Sequence, residues 1–127
     1  MAIRTELSLR IANSPGTLGA VCDALGEVRV NLVALHLESG GRLRLLTDNP
    51  LLAASSLRAK EHEVEERDVL LVTTSNAPGA LAGLVRSLTA AGVNVEYAYA
   101  AGVEGTPMAT AVIGVADAQR AATAIGV

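Results

Sequence analysis

Hydrophobic and polar residues alternate along the first stretch of the chain, from Ile3 to Ile11. A period of two is typical of a strand with one buried face and one solvent face. The solvent face would carry Arg4, Glu6, Ser8 and Arg10. After a short turn, apolar residues recur at helical spacing, as Leu18, Val21, Cys22 and Leu25. The chain is therefore predicted to begin with a strand, a turn and an amphipathic helix.

The pattern continues as a hairpin, a helix and a further strand. Two β-like runs flank the turn Ser39-Gly40-Gly41, which predicts a hairpin. Pro50 directly after Asn49 marks the start of a second helix. The elements are expected at 28–38 (strand), 42–47 (strand), 50–60 (helix) and 61–68 (acidic edge strand). Residues 1–68 would form one β-α-β-β-α-β unit.

A second unit is expected over residues 69–127. It begins with an apolar strand at Val69–Thr74, which we expect to be covered on both faces. Its hairpin at Gly102–Pro107 is about five residues longer than the first, by comparison of the two copies. A last helix, from Asp117 to Ala124, leaves no room for a final strand. Either the sheet has three strands or a neighbouring segment completes it. An unpaired apolar edge would favour self-association.

The two units repeat one another in sequence. The stretch Asn13-Ser14-Pro15-Gly16-Thr17-Leu18 returns 63 residues later (76 − 13 = 63) as Asn76-Ala77-Pro78-Gly79-Ala80-Leu81. Asn31 and Asn94, which open the next strand of each copy, have the same separation. Residues 13–31 and 76–94 share seven identities in nineteen positions. A repeat of this length indicates duplication of a whole supersecondary unit.

The ordered pair of motifs, occurring twice, resembles the ACT domain over nearly the whole chain. The resemblance implies a ferredoxin-like fold that binds an amino acid or a similar effector and often pairs edge to edge. The most similar members are free-standing tandem ACT proteins and the paired regulatory domains of aspartokinases. The resemblance therefore implies an α+β protein of two tandem ferredoxin-like units with antiparallel sheets, the second lacking a clear final strand.

Each repeated turn has the chemistry of a small-anion site. The start of a helix leaves amide N–H groups unpaired and carries partial positive charge, which favours a carboxylate. Gly16 and Gly79 remove the side chain that would block approach, and Asn13 and Asn76 each offer a donor and an acceptor. The predicted ligand-binding residues are Asn13, Ser14, Pro15, Gly16, Thr17, Leu18, Asn31, Asn76, Ala77, Pro78, Gly79, Ala80, Leu81 and Asn94.

The structural alternative is that Asn and Pro-Gly serve only to turn the chain into a helix. The copies also differ, because Ala77 and Ala80 stand where the first copy has Ser14 and Thr17. The second turn lacks both hydroxyl groups. We therefore expect unequal affinities, with the first turn as the better site and the second as a structural element.

Composition narrows the classes of function. The chain has two Tyr, no Phe or Trp and a net charge of −3, which argues against nucleic acid as a partner. No apolar run is long enough to cross a membrane, and a single Cys22 fits a cytoplasmic location. His36 and His62 have no partner at metal-ligand spacing. No catalytic residues, metal or cofactor are expected.

The sequence thus favours a non-catalytic, homo-oligomeric (dimeric) regulatory protein that binds an amino acid or a related small carboxylate near unit or subunit interfaces. The alternative is a ligand-free interaction module that docks on a metabolic enzyme. An enzyme on a ferredoxin-like scaffold has little support, because no acid–base set is visible.

Overall fold

The computed structural model describes residues 2–127, over which it has six strands and four helices. In chain order they are β1 (Ile3–Arg10), α1 (Thr17–Glu27), β2 (Leu32–Leu37), β3 (Arg42–Thr47), α2 (Pro50–Ala59), β4 (Glu65–Ser75), α3 (Ala80–Ala90), β5 (Tyr97–Gly102), β6 (Met108–Gly114) and α4 (Ala118–Ile125). The succession β-α-β-β-α occurs twice. The predicted α+β class and tandem ferredoxin-like arrangement are confirmed.

Local signals account for where the helices begin. Gly16 and Gly79 precede α1 and α3 in the left-handed conformation, with φ of 90° and 83°. Asn49 precedes α2, and its side chain accepts a hydrogen bond from the amide of Leu52 at 3.1 Å. Asp117 does the same for α4, so these two helices have side-chain caps. Only the Pro-Gly helices begin without one.

Residues 5–67 form one compact unit. Its strand order is β2-β3-β1, with the first three residues of β4 next to β1. β1 pairs antiparallel with β3, so that Leu7 lies opposite Leu45 and Leu9 opposite Leu43. These leucines pack beneath α1 and α2 in a core that also contains Val21, Ala24, Leu25, Val30, Ala53, Ala54 and Leu57. The apolar residues Leu7 and Leu9 that alternate along β1 thus lie on the strand face that packs into the core.

The second unit comprises residues 2–4 and 68–127. Its order is β5-β6-β4, and the start of β1 lies next to β4. The amide of Leu71 donates to the carbonyl of Ala2 at 2.6 Å. Ile3 packs against the second core, which contains Leu70, Val72, Leu88, Ala111, Ile113, Val115, Ala118, Ala121 and Ala122. A neighbouring segment therefore completes this sheet, which was the second of the two expected possibilities.

The last strand predicted for the first unit and the first strand predicted for the second unit form a single strand. β4 runs without a break from Glu65 to Ser75, whereas strands were expected at 61–68 and 69–74. Residues 61–64 are not in a strand, because Glu61 closes α2 in the left-handed conformation at φ 69°. The next amide, of His62, returns to the carbonyl of Leu57 at 3.1 Å. This pairing is typical of a helix C-terminus and delays the strand.

The predicted solvent face of β1 is largely covered. Glu6 and Ser8 are only 1% and 8% exposed. The cover includes arginines of β3: Arg44 Nη1 lies 3.5 Å from Glu6 Oε1, and Arg42 Nη1 donates to Ser8 Oγ at 3.3 Å. The alternation of apolar and polar residues cannot distinguish a solvent-exposed strand face from one that is covered by long side chains of the adjacent strand. This part of the prediction is wrong.

Candidate functional site

The first turn is held by Thr17. Its Oγ1 lies 2.7 Å from the carbonyl oxygen of Ala12 and 3.0 Å from that of Ser14, and it donates toward them. Gly16 accepts the first helical hydrogen bond, from Ala20, at 3.0 Å. Within residues 2–127 the amides of Leu18 and Gly19 have no hydrogen-bond partner. The turn therefore presents two free donors at the positive end of α1.

A cavity of about 400 Å³ opens at this turn. Its lining combines the turn with the end of β1 and the β2–β3 hairpin: Ile11, Ala12, Asn13, Ser14, Gly16, Thr17, Leu18, Leu37, Glu38, Ser39 and Gly41. The side chain of Asn13 makes no hydrogen bond to the described part of the chain. It is free to offer both a donor and an acceptor.

The hairpin residues of this cavity were missed by the sequence analysis. The amide of Ile11 donates to the carbonyl of Gly41 at 2.8 Å, which brings the hairpin to the end of β1. Gly41 has φ 93°, and a Cβ there would lie 2.5 Å from the Ile11 oxygen. Only glycine fits this position without displacement. The Gly-Gly turn is the available signal, but by itself it indicates only a hairpin.

The second turn uses its asparagine differently. Asn76 Nδ2 donates to the carbonyls of Val103 and Thr106, at 3.1 and 2.9 Å. A Cβ on Gly102 would approach Asn76 Oδ1 to 2.8 Å, so the side chain is closely packed as well as bonded. Asn76 therefore fastens the longer second hairpin. It is not free for a ligand in this conformation.

The cavity at the second turn is about 200 Å³, half the size of the first. Small-molecule sites usually enclose about 300–1,000 Å³, so only the first falls within that range. The second is lined by Thr74, Ser75, Asn76, Ala77, Ala80, Leu81, Ala100, Ala101, Gly102, Ala109, Thr110 and Ala111. No acidic side chain lines it, and Ala101 stands 63 residues after Glu38. The two turns are not chemically equivalent.

The remaining predicted residues lie away from these cavities or behind them. Asn31 follows the C-terminal end of α1, and its amide donates to Asp48 Oδ1 at 2.9 Å. α1 has eleven residues, so Asn31 is about 16 Å from the turn. Asn94 has the corresponding place after α3 and is exposed. Pro15, Pro78 and Gly79 shape the turns without lining either cavity.

Sequence comparison assigns the family. The family model described as "ACT domain pair" matches residues 1–125. The chain belongs to the ACT domain pair family. The resemblance inferred from the repeated turns is thereby confirmed, and it places this ACT domain pair among regulatory modules. No curated protein matches its sequence.

Solved structures share the fold over nearly the full length. A crystal structure of a protein from Bacteroides thetaiotaomicron has a TM-score of 0.90 at 28% identity, covering 98% of this chain and 88% of that one. The regulatory subunit of aspartate kinase from Thermus thermophilus, in a ligand-free form, has a TM-score of 0.73 at 19% identity, covering 98% and 90%. The corresponding subunit from Thermus flavus has 0.68 at 17%, covering 99% and 92%.

Other candidate chemistry is sparse in this ACT domain pair. Among residues 2–127, no group of three or more His, Cys, Asp or Glu side chains is arranged to hold a metal ion. Over the same residues, each helix is too short or too polar to span a bilayer. Cys22 is half-buried on α1. The first turn remains the best-formed candidate site.

Proposed function

We propose that this ACT domain pair is a non-catalytic regulatory protein that binds an amino acid or a related small carboxylate at the first turn. The observation that carries the proposal is the cavity of about 400 Å³ lined by Leu18, whose amide has no partner, and by Asn13, whose side chain is unbonded. The amide of Gly19, next along α1, is also without a partner. A carboxylate placed there would accept from both amides at the positive end of α1.

The rest of the lining suits a zwitterion with a small side chain. Ile11, Leu18 and Leu37 supply apolar surface, and Glu38 is the one acidic residue of the lining. Asn13 Oδ1 is available to accept from an ammonium group while Nδ2 donates to the carboxylate. The cavity therefore offers a complement to each part of an α-amino acid.

We assign the second turn a structural role. The functional units correspond to the two sequence repeats, residues 1–68 and 69–127, and each contains one Pro-Gly turn. Asn76 is bonded to the second hairpin, and the cavity beside it is small. Of the two turns, only the first is expected to bind a ligand.

We further propose that the protein is a cytoplasmic homodimer in which the ligand lies near the subunit interface. β2 ends the strand order of the first unit and exposes Val33, Leu35 and Leu37 to 46%, 37% and 39%. Exposed apolar side chains on an edge strand favour association. Leu37 also lines the ligand cavity, so pairing at β2 would close it. A metabolic enzyme is the expected regulated partner, since the Thermus relatives are regulatory subunits of aspartate kinase.

The proposal is tested by thermal-shift screening with the twenty amino acids, because a ligand that binds only the folded state raises the melting temperature. At least one should do so, and its N-acetyl and amide derivatives should be weaker, since each loses one charge. Asn13→Ala should weaken the hit about tenfold or more, as expected for one bond to a charged group. Asn76→Ala should leave its affinity within about twofold. No shift with any amino acid would refute the proposal and favour the ligand-free docking module.

A further inference from the structure

Two arginines lie side by side on adjacent strands of the first unit, and neither forms an ion pair within the described residues. Arg10 on β1 is directly opposite Arg42 on β3, so both side chains are on the same face. Like charges in this position are mutually destabilising. Arg10 Nη1 donates to the carbonyl of Gly40 at 3.0 Å, and Arg42 Nη1 donates to Ser8 Oγ at 3.3 Å. Within residues 2–127 neither guanidinium has a carboxylate within 4.0 Å.

The arginines form one wall of a cavity of about 520 Å³. Ser8 and Leu9 line it beside them, and the segment after α2 supplies the opposite wall as Glu61, His62, Glu63 and Glu65. In the described part of the chain these three carboxylates also have no ion pair. The cavity thus holds unpaired groups of both signs, separated by more than ion-pair distance.

This cavity is separate from the one at the first turn. They share no lining residue. Along β1, Leu7 and Leu9 point into the core beneath the helices, while Ser8 and Arg10 belong to the alternate face. Two of the lining residues of this cavity, Ser8 and Arg10, therefore belong to the sheet face away from the helices.

We propose that this cavity is a second ligand site, which takes a small zwitterion with its carboxylate on Arg10 and Arg42 and its ammonium group toward the glutamates. A guanidinium presents a planar set of donors that matches a carboxylate, and most donors of both arginines are unused. The two arginines and three glutamates of the lining give it a net charge of −1. A simple anion would be repelled by the acidic wall. A simple dication would leave the arginines unpaired.

The ligand class follows from the same charge count. A molecule with one carboxylate and one or two ammonium groups, net charge 0 or +1, complements both walls. γ-Aminobutyrate and lysine are suitable probes of that class. Acetate and putrescine represent the anion alone and the dication alone.

The experiment is an amide-resolved NMR titration of the full chain with these four probes, supported by calorimetry. The two zwitterions should shift amides around Ser8–Arg10 and 61–65, and each should bind at least about tenfold more tightly than acetate or putrescine, a difference of about 1.4 kcal/mol. Arg42→Gln and Glu63→Gln should each weaken the zwitterions about tenfold. Arg86→Gln, which removes an arginine of α3 outside the cavity, should leave binding unchanged.

The outcomes separate this site from the first turn. Asn13→Ala should leave these shifts in place, so loss of the amino-acid site would not imply loss of this one. The proposal is overturned by no binding of either zwitterion at millimolar concentration, by acetate binding as tightly, or by an equal loss in Arg86→Gln. Circular dichroism of each variant establishes that a lost shift reflects binding, and Glu63→Gln provides a second test where Arg42→Gln disturbs Ser8.

Discussion

The two turn asparagines should have opposite effects on stability and binding. Asn76→Ala removes two hydrogen bonds, to Val103 and Thr106 at 3.1 and 2.9 Å. A net 0.5–1.5 kcal/mol each, with the lower values applying to this exposed position, gives a loss of about 1–2 kcal/mol in the free energy of unfolding. For 127 residues a loss of about 1.5 kcal/mol lowers the melting midpoint by roughly 5 °C. Asn13→Ala breaks no hydrogen bond within residues 2–127 and should change stability by less than about 0.5 kcal/mol.

Urea denaturation of both variants measures this difference. Gly102→Ala tests the packing of Asn76 further, because a Cβ on Gly102 would lie 2.8 Å from Asn76 Oδ1. Gly102→Ala should cost less in the Asn76→Ala background than in the wild type, so the double variant should be non-additive. Equal losses for Asn13→Ala and Asn76→Ala, or strict additivity with Gly102→Ala, would refute the assignment of Asn76 to the hairpin.

Four further substitutions, in two pairs, test the backbone after α1 and α3 and the covered face of β1. Arg29 has φ 59° where the repeat has Gly92 at φ 73°. Arg29→Gly should therefore raise the free energy of unfolding by about 0.5–1 kcal/mol, and Gly92→Ala should lower it by about 1 kcal/mol. A decrease for Arg29→Gly or an increase for Gly92→Ala would show that these positions are not strained for residues with a side chain. Glu6→Ala should lower the free energy of unfolding by about 3 kcal/mol, because it removes the buried carboxylate that pairs with Arg44. Glu38→Ala removes a 46%-exposed partner of the same arginine and should lower it by less than about 1 kcal/mol in the same urea assay.

Local chemistry explains the parts of the fold that the sequence predicted well. Asn49 followed by Pro50 places the start of α2 correctly, and the Gly-Gly turn places β3 at Arg42–Thr47. Each of these signals acts within a few residues. The repeated Pro-Gly turns likewise predicted the positions of α1 and α3, because a left-handed glycine before a helix is a local requirement.

The errors come from contacts between residues distant in sequence. Nothing in the local pattern shows that Ile3 joins the second core, or that β4 continues through residue 68. The bonds from Asn76 are made to Val103 and Thr106 in the loop between β5 and β6, which lies far from the turn in sequence. The sequence predicted unequal turns from the missing hydroxyl groups of Ala77 and Ala80, but not that Asn76 itself is bonded to the second hairpin.

The assignment of the ligand site to the first turn is tested most directly by amide NMR during titration with the amino acid that most raises the melting temperature. Carboxylate binding at the first turn should move the amide resonances of Leu18 and Gly19, and both should follow the same single-site saturation curve. The equivalent amides of the second turn, Leu81 and Ala82, should not move. Shifts confined to Leu81 and Ala82, or equal saturating shifts at both turns, would contradict the account.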